Sequence, residues 1–211
     1  MRISEIFYSV QGEIEVGKPY VFVRFSGCNL IKENKACKFC DSLYAEEGKE
    51  MTIDEVMNEI NKFKCKRVII TGGESLCQME DLSLLIYRLY KLNYWVEIET
   101  NGTILNKELL WYVDEINCSP KKQAIDMEVL KGLMELNVRL KFVYENSNDI
   151  WWENIIKELG IDHKKIWIMA EGKTREEQIS KMDEVVQYCL KNKYNFTPRL
   201  QTLIWNNRRG V

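Results

Sequence analysis

The fold follows from the stretch Arg67-Val68-Ile69-Ile70-Thr71-Gly72-Gly73-Glu74 and from the pattern that surrounds it. Its first five residues are a short, β-branched run typical of a buried strand, and the two glycines end that run. A helical pattern of apolar residues follows over Asp81–Leu92, and a second strand-like run follows over Tyr94–Glu99. A strand, a helix and a second strand in this order predict a parallel βαβ unit with a right-handed crossover.

The same alternation extends to both sides of that unit. Thr52, with Glu55 three residues on, predicts a capping box at a helix start, and Gly160 is placed for a helix end. The six units indicate an α/β fold of the incomplete (β/α)6 type, a partial TIM barrel, because eight would be needed for closure. We expect a single domain over residues 1–211, with Ile3–Glu13 and the tail after Phe196 as capping extensions. The predicted strands are Tyr20–Phe25, Arg67–Thr71, Tyr94–Glu99, Val113–Asn117, Val138–Val143 and Ile166–Met169, and the predicted helices are Ile53–Lys64, Asp81–Leu92, Lys107–Tyr112, Asp126–Leu136, Trp151–Leu159 and Arg175–Asn192.

Composition excludes several classes of function. The 211 residues carry a formal net charge of −2, so no broad basic field indicates a nucleic-acid partner. No run approaches the ~20 apolar residues of a membrane span, and the N-terminus does not resemble a signal peptide. These observations predict a cytoplasmic protein with neither a nucleic-acid nor a membrane partner.

Three of the seven cysteines are clustered after the first predicted strand. Cys28 is followed by the pair Cys37 and Cys40, and the chain has one histidine, His163. In a reducing compartment such cysteines are more often metal ligands, catalytic groups or buried thiols than disulfides. A structural zinc site prefers four ligands, whereas a [4Fe-4S] cluster on three thiolates leaves one iron open for S-adenosylmethionine (SAM). The cysteines alone leave a cluster about as open as the alternatives, which are a zinc site or ordinary thiols.

Polar and glycine-rich loops follow four of the predicted strands, on the rim where parallel αβ barrels build their sites. Beside the cysteine loop lie Gly72, Gly73 and Glu74, where the glycines allow close backbone approach and the carboxylate could receive an ammonium group. The other two loops supply Glu99 and Asn101, suited to ribose hydroxyls, and Ser119 and Lys121. Their presence on one rim favours a SAM site over four unrelated turns.

At this point the sequence resembles a known family. Cys28 through Cys40, followed by Thr71-Gly72-Gly73-Glu74, resembles the radical SAM superfamily, although eight residues separate the first two cysteines. More narrowly, the chain is similar to the 7-carboxy-7-deazaguanine synthases. The similar stretches are Glu5–Glu13, Val21–Asn29, Cys40-Asp41-Ser42, Glu99–Gly102, Ser119-Pro120-Lys121, Thr197–Leu200 and Arg208–Val211.

The resemblance implies a reaction, its cofactors and its partners. It implies a carbon–nitrogen lyase that contracts the ring of 6-carboxy-5,6,7,8-tetrahydropterin to 7-carboxy-7-deazaguanine, with loss of ammonia, toward queuosine- or archaeosine-type nucleosides. The implied cofactors are the [4Fe-4S] cluster on Cys28, Cys37 and Cys40, SAM, and Mg2+ placed by Ser42. A homodimer and a flavodoxin- or ferredoxin-type reductant are also implied. The implied SAM residues are Gly72, Gly73, Glu74, Glu99, Asn101, Ser119, Lys121, Met169 and Glu171, and the implied substrate residues are Val10, Gln11, Gly12, Glu13, Arg24, Thr71, Gln201 and Val211.

The sequence departs from the family pattern at three positions. Ser75 replaces a usual proline, Ile14 replaces a glycine, and Gln201 stands where some members have a histidine. A glutamine can hydrogen-bond a pterin, but it cannot change its charge near neutral pH. These departures question a proton-transfer role at position 201 and leave the family resemblance intact.

Several residues have competing readings. A charge in the middle of an apolar strand needs a partner, so we favour a substrate-carboxylate contact for Arg24 over a structural ion pair. Cys65, Cys77 and Cys189 are expected to be isolated core or surface thiols, and Cys118 adjoins a loop of the predicted site. Two alternatives for the whole chain are a radical SAM activase of a glycyl radical enzyme and a non-catalytic, zinc-stabilised binding module.

Overall fold

The structure, a computed structural model, describes residues 1–38, 40, 47–206, 208 and 210–211. All six predicted strands and all six predicted helices are present, with ends shifted by a few residues. The strands are β1 Arg2–Val10, β2 Pro19–Phe25, β3 Lys49–Glu50, β4 Arg67–Gly72, β5 Trp95–Thr100, β6 Glu115–Cys118, β7 Val138–Tyr144, β8 Ile166–Ala170 and β9 Asn195–Thr197. The helices are α1 Asn29–Lys32, α2 Ile53–Asn61, α3 Met79–Lys91, α4 Lys107–Leu110, α5 Met127–Met134, α6 Trp152–Leu159, α7 Arg175–Asn192 and α8 Leu200–Trp205.

Contacts divide the chain into two compact units. The first unit contains Met1–Ser9, Pro19–Val138 and Gly210, and the second contains Val10–Lys18, Arg139–Arg209 and Val211. The prediction of a single domain stays a prediction. No helix in the described ranges is both long and apolar enough to cross a membrane.

The first unit is built on parallel strands. Its strands lie in the order β3-β1-β2-β4-β5-β6, in which β4 runs parallel to both β2 and β5, and β5 runs parallel to β6. The register pairs Arg24 with Thr71 and Glu99 with Asn117. Because alternate residues of a strand share a face, this register gathers the polar ends of neighbouring strands on one side of the sheet.

Three strands were not predicted from the sequence. β1 lies next to β2, and β3 pairs antiparallel with β1. In the second unit, β9 runs parallel to β8. The predicted N-terminal extension therefore contributes a sheet strand, β1, and the weak or short patterns of these three strands explain why the sequence did not indicate them.

The helix signals in the sequence are confirmed. The hydroxyl of Thr52 accepts from the backbone N–H of Glu55, whose carboxylate accepts from the N–H of Thr52. Gly160 ends α6 with a φ of 58°, in the left-handed region that glycine adopts at low cost. A second capping box, between Thr174 and Glu177, begins α7.

The core of the second unit centres on Trp152, which is fully buried. Its ring stacks on Phe142 with 5.5 Å between ring centroids, and its indole N–H donates to the Tyr188 hydroxyl at 3.2 Å. α6 is therefore anchored to β7 and α7 by one large side chain whose only polar atom is paired.

We expect Trp152→Ala to lower the free energy of unfolding by about 3–5 kcal/mol, because it leaves a cavity and removes the indole N–H that donates to the Tyr188 hydroxyl. Urea denaturation of anaerobically purified protein measures this loss. The matched control is Trp111→Ala, since Trp111 is 77% exposed and a substitution there should cost less than about 0.5 kcal/mol. Equal losses for the two variants would contradict the assignment of Trp152 to the core.

Candidate functional site

Two glycines bring the loop after β4 against the loop after β2. Gly72 has a φ of 134°, and a Cβ there would lie 2.1 Å from the carbonyl oxygen of Phe25. A Cβ on Gly73 would lie 2.2 Å from the carbonyl oxygen of Gly27 and 2.9 Å from Cβ of Cys28. Only a residue without a side chain allows this approach, so these glycines set the position of the Cys28 loop.

Glu74 joins the loops that follow β4 and β5. Its side chain is completely buried, and one carboxylate oxygen accepts from the backbone N–H of Leu76 at 3.2 Å. The other oxygen accepts from the Thr100 hydroxyl at 3.0 Å and from the N–H of Asn101 at 2.7 Å. Burial raises the pKa of the Glu74 carboxyl, and these donors oppose that rise. Both oxygens are engaged within the protein, and the contact with the SAM ammonium stays a prediction.

The predicted ligands Cys28, Cys37 and Cys40 lie on one stretch and are all partly exposed free thiols. Cys28 precedes α1, and burial raises the pKa of its thiol, with a smaller contribution from the Glu74 carboxylate. The amide of Gln123 lies 3.6 Å from the Cys37 sulfur. The amide of Asn101 lies 4.0 Å from the Cys28 sulfur.

These three thiols fit a cluster that has an open iron. Partly exposed cysteine sulfurs with amide N–H donors nearby are the environment that protein iron–sulfur clusters use. Within the described ranges, no three Cys, His, Asp or Glu side chains are already arranged to hold a metal ion. The predicted magnesium residue, Ser42, lies outside the described residues. Gln123 was not predicted, since nothing in its own sequence context indicates a contact with Cys37.

Cys77 is a surface thiol, as predicted, but it is not isolated from the cysteine loop. Its sulfur accepts from the backbone N–H of Asn29, and its pKa is raised by desolvation and then by the nearby Glu74 and Cys28. It therefore lies beside the cysteine loop, because the close approach of the β4 loop brings it there. Cys118 is fully buried, and a Cβ on Gly102 would lie 2.6 Å from its sulfur, so Cys118 packs under the β5 loop.

The remaining predicted SAM residues of the first unit lie in or beside hydrogen bonds that link neighbouring strand ends. The Thr71 hydroxyl donates to Glu99 at 2.7 Å, and the Asn101 amide donates to Asn29 at 3.0 Å. The N–H of Ser119 donates to the carbonyl of Thr100 at 2.8 Å. Lys121 lies close enough to oppose the raised pKa of Glu74. In this unit the structure thus brings together the cysteine loop and the loops after β4, β5 and β6.

Arg24 has a protein partner in the first unit. Its Nε donates to the Glu5 carboxylate at 2.7 Å, with both side chains largely buried, and its guanidinium lies 5.7 Å from the centroid of the Phe7 ring. This contact is the structural ion pair that the sequence analysis gave as the alternative to a substrate contact. The substrate-carboxylate contact of Arg24 stays a prediction.

The Gln11-Gly12-Glu13 loop lies in the second unit and is held by the C-terminal segment. The carbonyl of Gly12 accepts from the N–H of Leu200 at 2.7 Å, and the Gln11 side chain accepts from the N–H of Glu13 at 3.1 Å. The Gln201 amide donates to the Glu13 carboxylate at 3.3 Å. The structure therefore brings together predicted substrate residues that are about 190 positions apart in sequence.

The surroundings of the other predicted residues in the second unit do not indicate a binding site. Met169 is buried in β8, and Glu171 accepts from Lys181 at 2.5 Å. Val10 and Val211 are both partly exposed. None of these four positions by itself indicates a ligand.

Comparison with known proteins identifies the family. A sequence model of the Radical SAM superfamily matches residues 22–182. The 7-carboxy-7-deazaguanine synthase of Halobacterium salinarum is 31% identical over 98% of this chain and 91% of its own. The enzyme of the same name from Bacteroides thetaiotaomicron is 42% identical over 70% of this chain and 72% of its own. The chain belongs to the 7-carboxy-7-deazaguanine synthase family of radical SAM proteins.

Solved structures agree with this membership at the level of the fold. The crystal structure of QueE from Escherichia coli superposes with a TM-score of 0.72 at 20% identity, covering 94% of this chain and 93% of that one. SuiB of Streptococcus suis, bound to the precursor peptide SuiA, gives a TM-score of 0.59 at 17% identity over 86% of this chain and 49% of that one. The predicted α/β radical SAM fold is confirmed. Membership of the synthase family also confirms the predictions of an enzyme and of a [4Fe-4S] cluster and SAM as its cofactors.

Within this synthase-family fold, Glu74→Gln should lower the free energy of unfolding by about 1–3 kcal/mol. A glutamine offers one oxygen and one NH2 group, so its NH2 would face a backbone N–H of Leu76 or Asn101 and leave a buried donor without an acceptor. Thermal and urea unfolding of protein loaded anaerobically with its [4Fe-4S] cluster measure this loss of unfolding free energy. Glu80→Gln, at an exposed position of α3, is the matched control, and a Glu74→Gln protein as stable as that control would refute the joining role.

Proposed function

We propose that this chain is a 7-carboxy-7-deazaguanine synthase, which converts 6-carboxy-5,6,7,8-tetrahydropterin to 7-carboxy-7-deazaguanine with loss of ammonia. The observation that carries the proposal is the 31% identity to the Halobacterium salinarum synthase over 98% of this chain. That match covers both the cysteine loop of the first unit and the Gln-Gly-Glu loop of the second. The product belongs to the route to 7-deazapurine nucleosides of the queuosine or archaeosine type.

We assign the cofactors to the first unit. Cys28, Cys37 and Cys40 would hold the [4Fe-4S] cluster, and the loops containing Gly72, Gly73, Glu99, Asn101, Ser119 and Lys121 would hold SAM, with Met169 and Glu171 of the second unit as further contacts. When bound, the reduced cluster supplies the electron that cleaves SAM and starts the radical chemistry. The protein's part is to fix the orientation of these groups, which the Gly72–Gly73 contact and the Glu74 hydrogen bonds support. Ser42 would offer a hydroxyl oxygen to Mg2+, whose six-coordinate shell needs further oxygens from substrate and water.

We assign the substrate to two sets of residues. Val10, Gln11, Gly12, Glu13, Gln201 and Val211 form the set in the second unit. A pterin presents N–H groups along its pyrimidine edge, and the carboxylate and amide oxygens of Glu13 and Gln201 are matching acceptors. Thr71 and Arg24 form the set in the first unit, where a guanidinium suits the substrate carboxylate.

We also propose the enzyme's partners and location. A small-molecule pterin is its substrate, and a flavodoxin- or ferredoxin-type protein is its reductant. The active form would be a homodimer, as the resemblance to the family implies, and it would act in the cytoplasm. The net charge of −2 supports the absence of a nucleic-acid partner.

The proposal is tested with anaerobically reconstituted protein, SAM, Mg2+, a strong reductant and the carboxytetrahydropterin. We expect the deazaguanine acid by mass spectrometry and equimolar ammonia. Cys28→Ala, Cys37→Ala and Cys40→Ala should lose the brown colour near 400 nm (typical of Fe–S clusters) and all SAM cleavage. Cys65→Ala and Cys189→Ala are the controls and should keep both.

Two results would contradict this assignment. A colourless, zinc-loaded protein would support the binding module, and SAM cleavage without pterin turnover would favour a different radical SAM substrate, such as a protein glycine. A cluster lost as fully in Cys65→Ala as in Cys37→Ala would overturn the ligand assignment.

The two roles of Arg24 can be separated through its partner. If Arg24 binds the substrate carboxylate, Arg24→Ala should raise KM by about 10–100-fold, from losing ~2–3 kcal/mol of charge-assisted hydrogen bonding. Glu5→Gln keeps the arginine and should change KM by less than about threefold. Steady-state kinetics measure both, and SAM cleavage without substrate should persist in each. Equal effects of the two substitutions would instead assign Arg24 to the structural ion pair.

A further inference from the structure

The Glu13 carboxylate in the second unit is contacted by two cationic side chains. Lys141, on β7, donates to one of its oxygens, and both side chains are about nine-tenths buried, at 12% and 13% exposure. Nε of Arg199 lies 3.6 Å from the other oxygen. The backbone of Glu13 is held as well, since its carbonyl accepts from the Thr197 hydroxyl. Glu13 is therefore fixed at both its side chain and its main chain.

This pairing determines which way the Gln201 amide faces. A carboxylate held between a lysine and an arginine is ionised, and an ionised carboxylate only accepts hydrogen bonds. Gln201 must then direct its NH2 group to Glu13, as it does through Nε2 at 3.3 Å. Its carbonyl oxygen is thereby turned away from Glu13. The orientation follows from chemistry, because the reverse one would place two acceptors together.

The Gln201 oxygen is a buried acceptor that receives no hydrogen bond from the part of the chain that the structure describes. Among the described residues, Oε1 of Gln201 has no hydrogen-bond donor and almost no exposed surface. It lies directly against Gly12, where a Cβ would be 1.7 Å from it. A buried acceptor of this kind costs free energy unless a ligand or water supplies a donor. Because Gly12 has no side chain, Oε1 of Gln201 can occupy this space.

We propose that Lys141, assisted by Arg199, is a positioning residue: it holds Glu13 so that Gln201 presents its carbonyl oxygen as an acceptor for an N–H group of the pterin. This inference rests on the proposed function, and it adds a residue that would not itself touch the substrate. It also assigns a specificity, since a fixed acceptor favours a ring N–H and disfavours a ring carbonyl at that point. Lys141 acts through Glu13 on Gln201, in a chain of three side chains.

Equilibrium binding of the carboxytetrahydropterin to cluster-loaded, SAM-bound, unreduced enzyme tests the proposal without turnover. Lys141→Met keeps the length of the side chain and removes its charge, and we expect it to weaken binding by about tenfold. Lys141→Arg restores the cation and should bind within about threefold of the natural protein. Lys131→Met is the matched control, because Lys131 makes an exposed ion pair with Glu128 at 2.8 Å and should leave affinity unchanged.

A double-mutant cycle distinguishes positioning from a general loss of charge. With Gln201 replaced by Ala, the added Lys141→Met change should weaken binding by less than about twofold, because its effect through Gln201 is gone and only its effect on Glu13 itself remains. An undiminished tenfold effect in that background would overturn the chain of three side chains. Normal binding by Lys141→Met, or no rescue by Lys141→Arg, would also overturn the proposal. If Lys141→Met does not fold, Lys141→Gln is measured instead, and natural affinity in that variant has the same meaning.

The result is separable from the proposed function. If the natural protein neither binds nor converts the pterin, the proposed function fails and Lys141 is not at issue. If the natural protein makes the deazaguanine acid while Lys141→Met binds substrate normally, only the positioning role fails.

Discussion

The buried carboxylate of Glu74 is the constraint on which the first unit's site depends. A carboxylate in a fully buried position is costly unless its oxygens are satisfied, and here the donors are two backbone N–H groups and one hydroxyl from two different loops. The loops after β4 and β5 cannot separate without breaking these hydrogen bonds. The bond from the Asn101 amide to Asn29 extends from the main-chain position that this carboxylate fixes.

Steric fit adds a second constraint of a different kind. Gly72 and Gly73 lie so close to the main chain after β2 that no side chain could be accommodated. The Cys28 thiol is thereby held near the loops that carry the predicted SAM residues, and Cys77 is brought beside it. The fold thus positions Cys28, a predicted cluster ligand, through close packing of main chain, while hydrogen bonds fix the polar groups around it. The two effects act on the same pair of loops.

The second unit relies on charge instead. Lys141, Glu13 and Arg199 come from β7, the Gln-Gly-Glu loop and the C-terminal segment, and their pairing fixes a loop that has little secondary structure of its own. Buried ion pairs add little net stability, because the cost of desolvating the charges offsets their attraction. Such an arrangement suits a loop that must present polar groups to a ligand in one geometry. The aromatic core of the second unit, around Trp152, supplies the stability that the ion pairs do not.

The sequence by itself determined the order and type of the elements and the identity of the motifs. Hydrophobic periodicity and capping signals act over a few residues, so the strands, helices and capping box at Thr52 could be predicted from local pattern. It did not indicate β1, whose residues alternate poorly, or β3 and β9, which are two and three residues long. Only the tertiary structure decided which side chains contact each other. Arg24 pairs with Glu5, Cys77 lies beside Asn29, and Lys141 pairs with Glu13, which is 128 positions away in sequence. Such partners are chosen by how strands and loops approach in space, and no local pattern of residues records that approach.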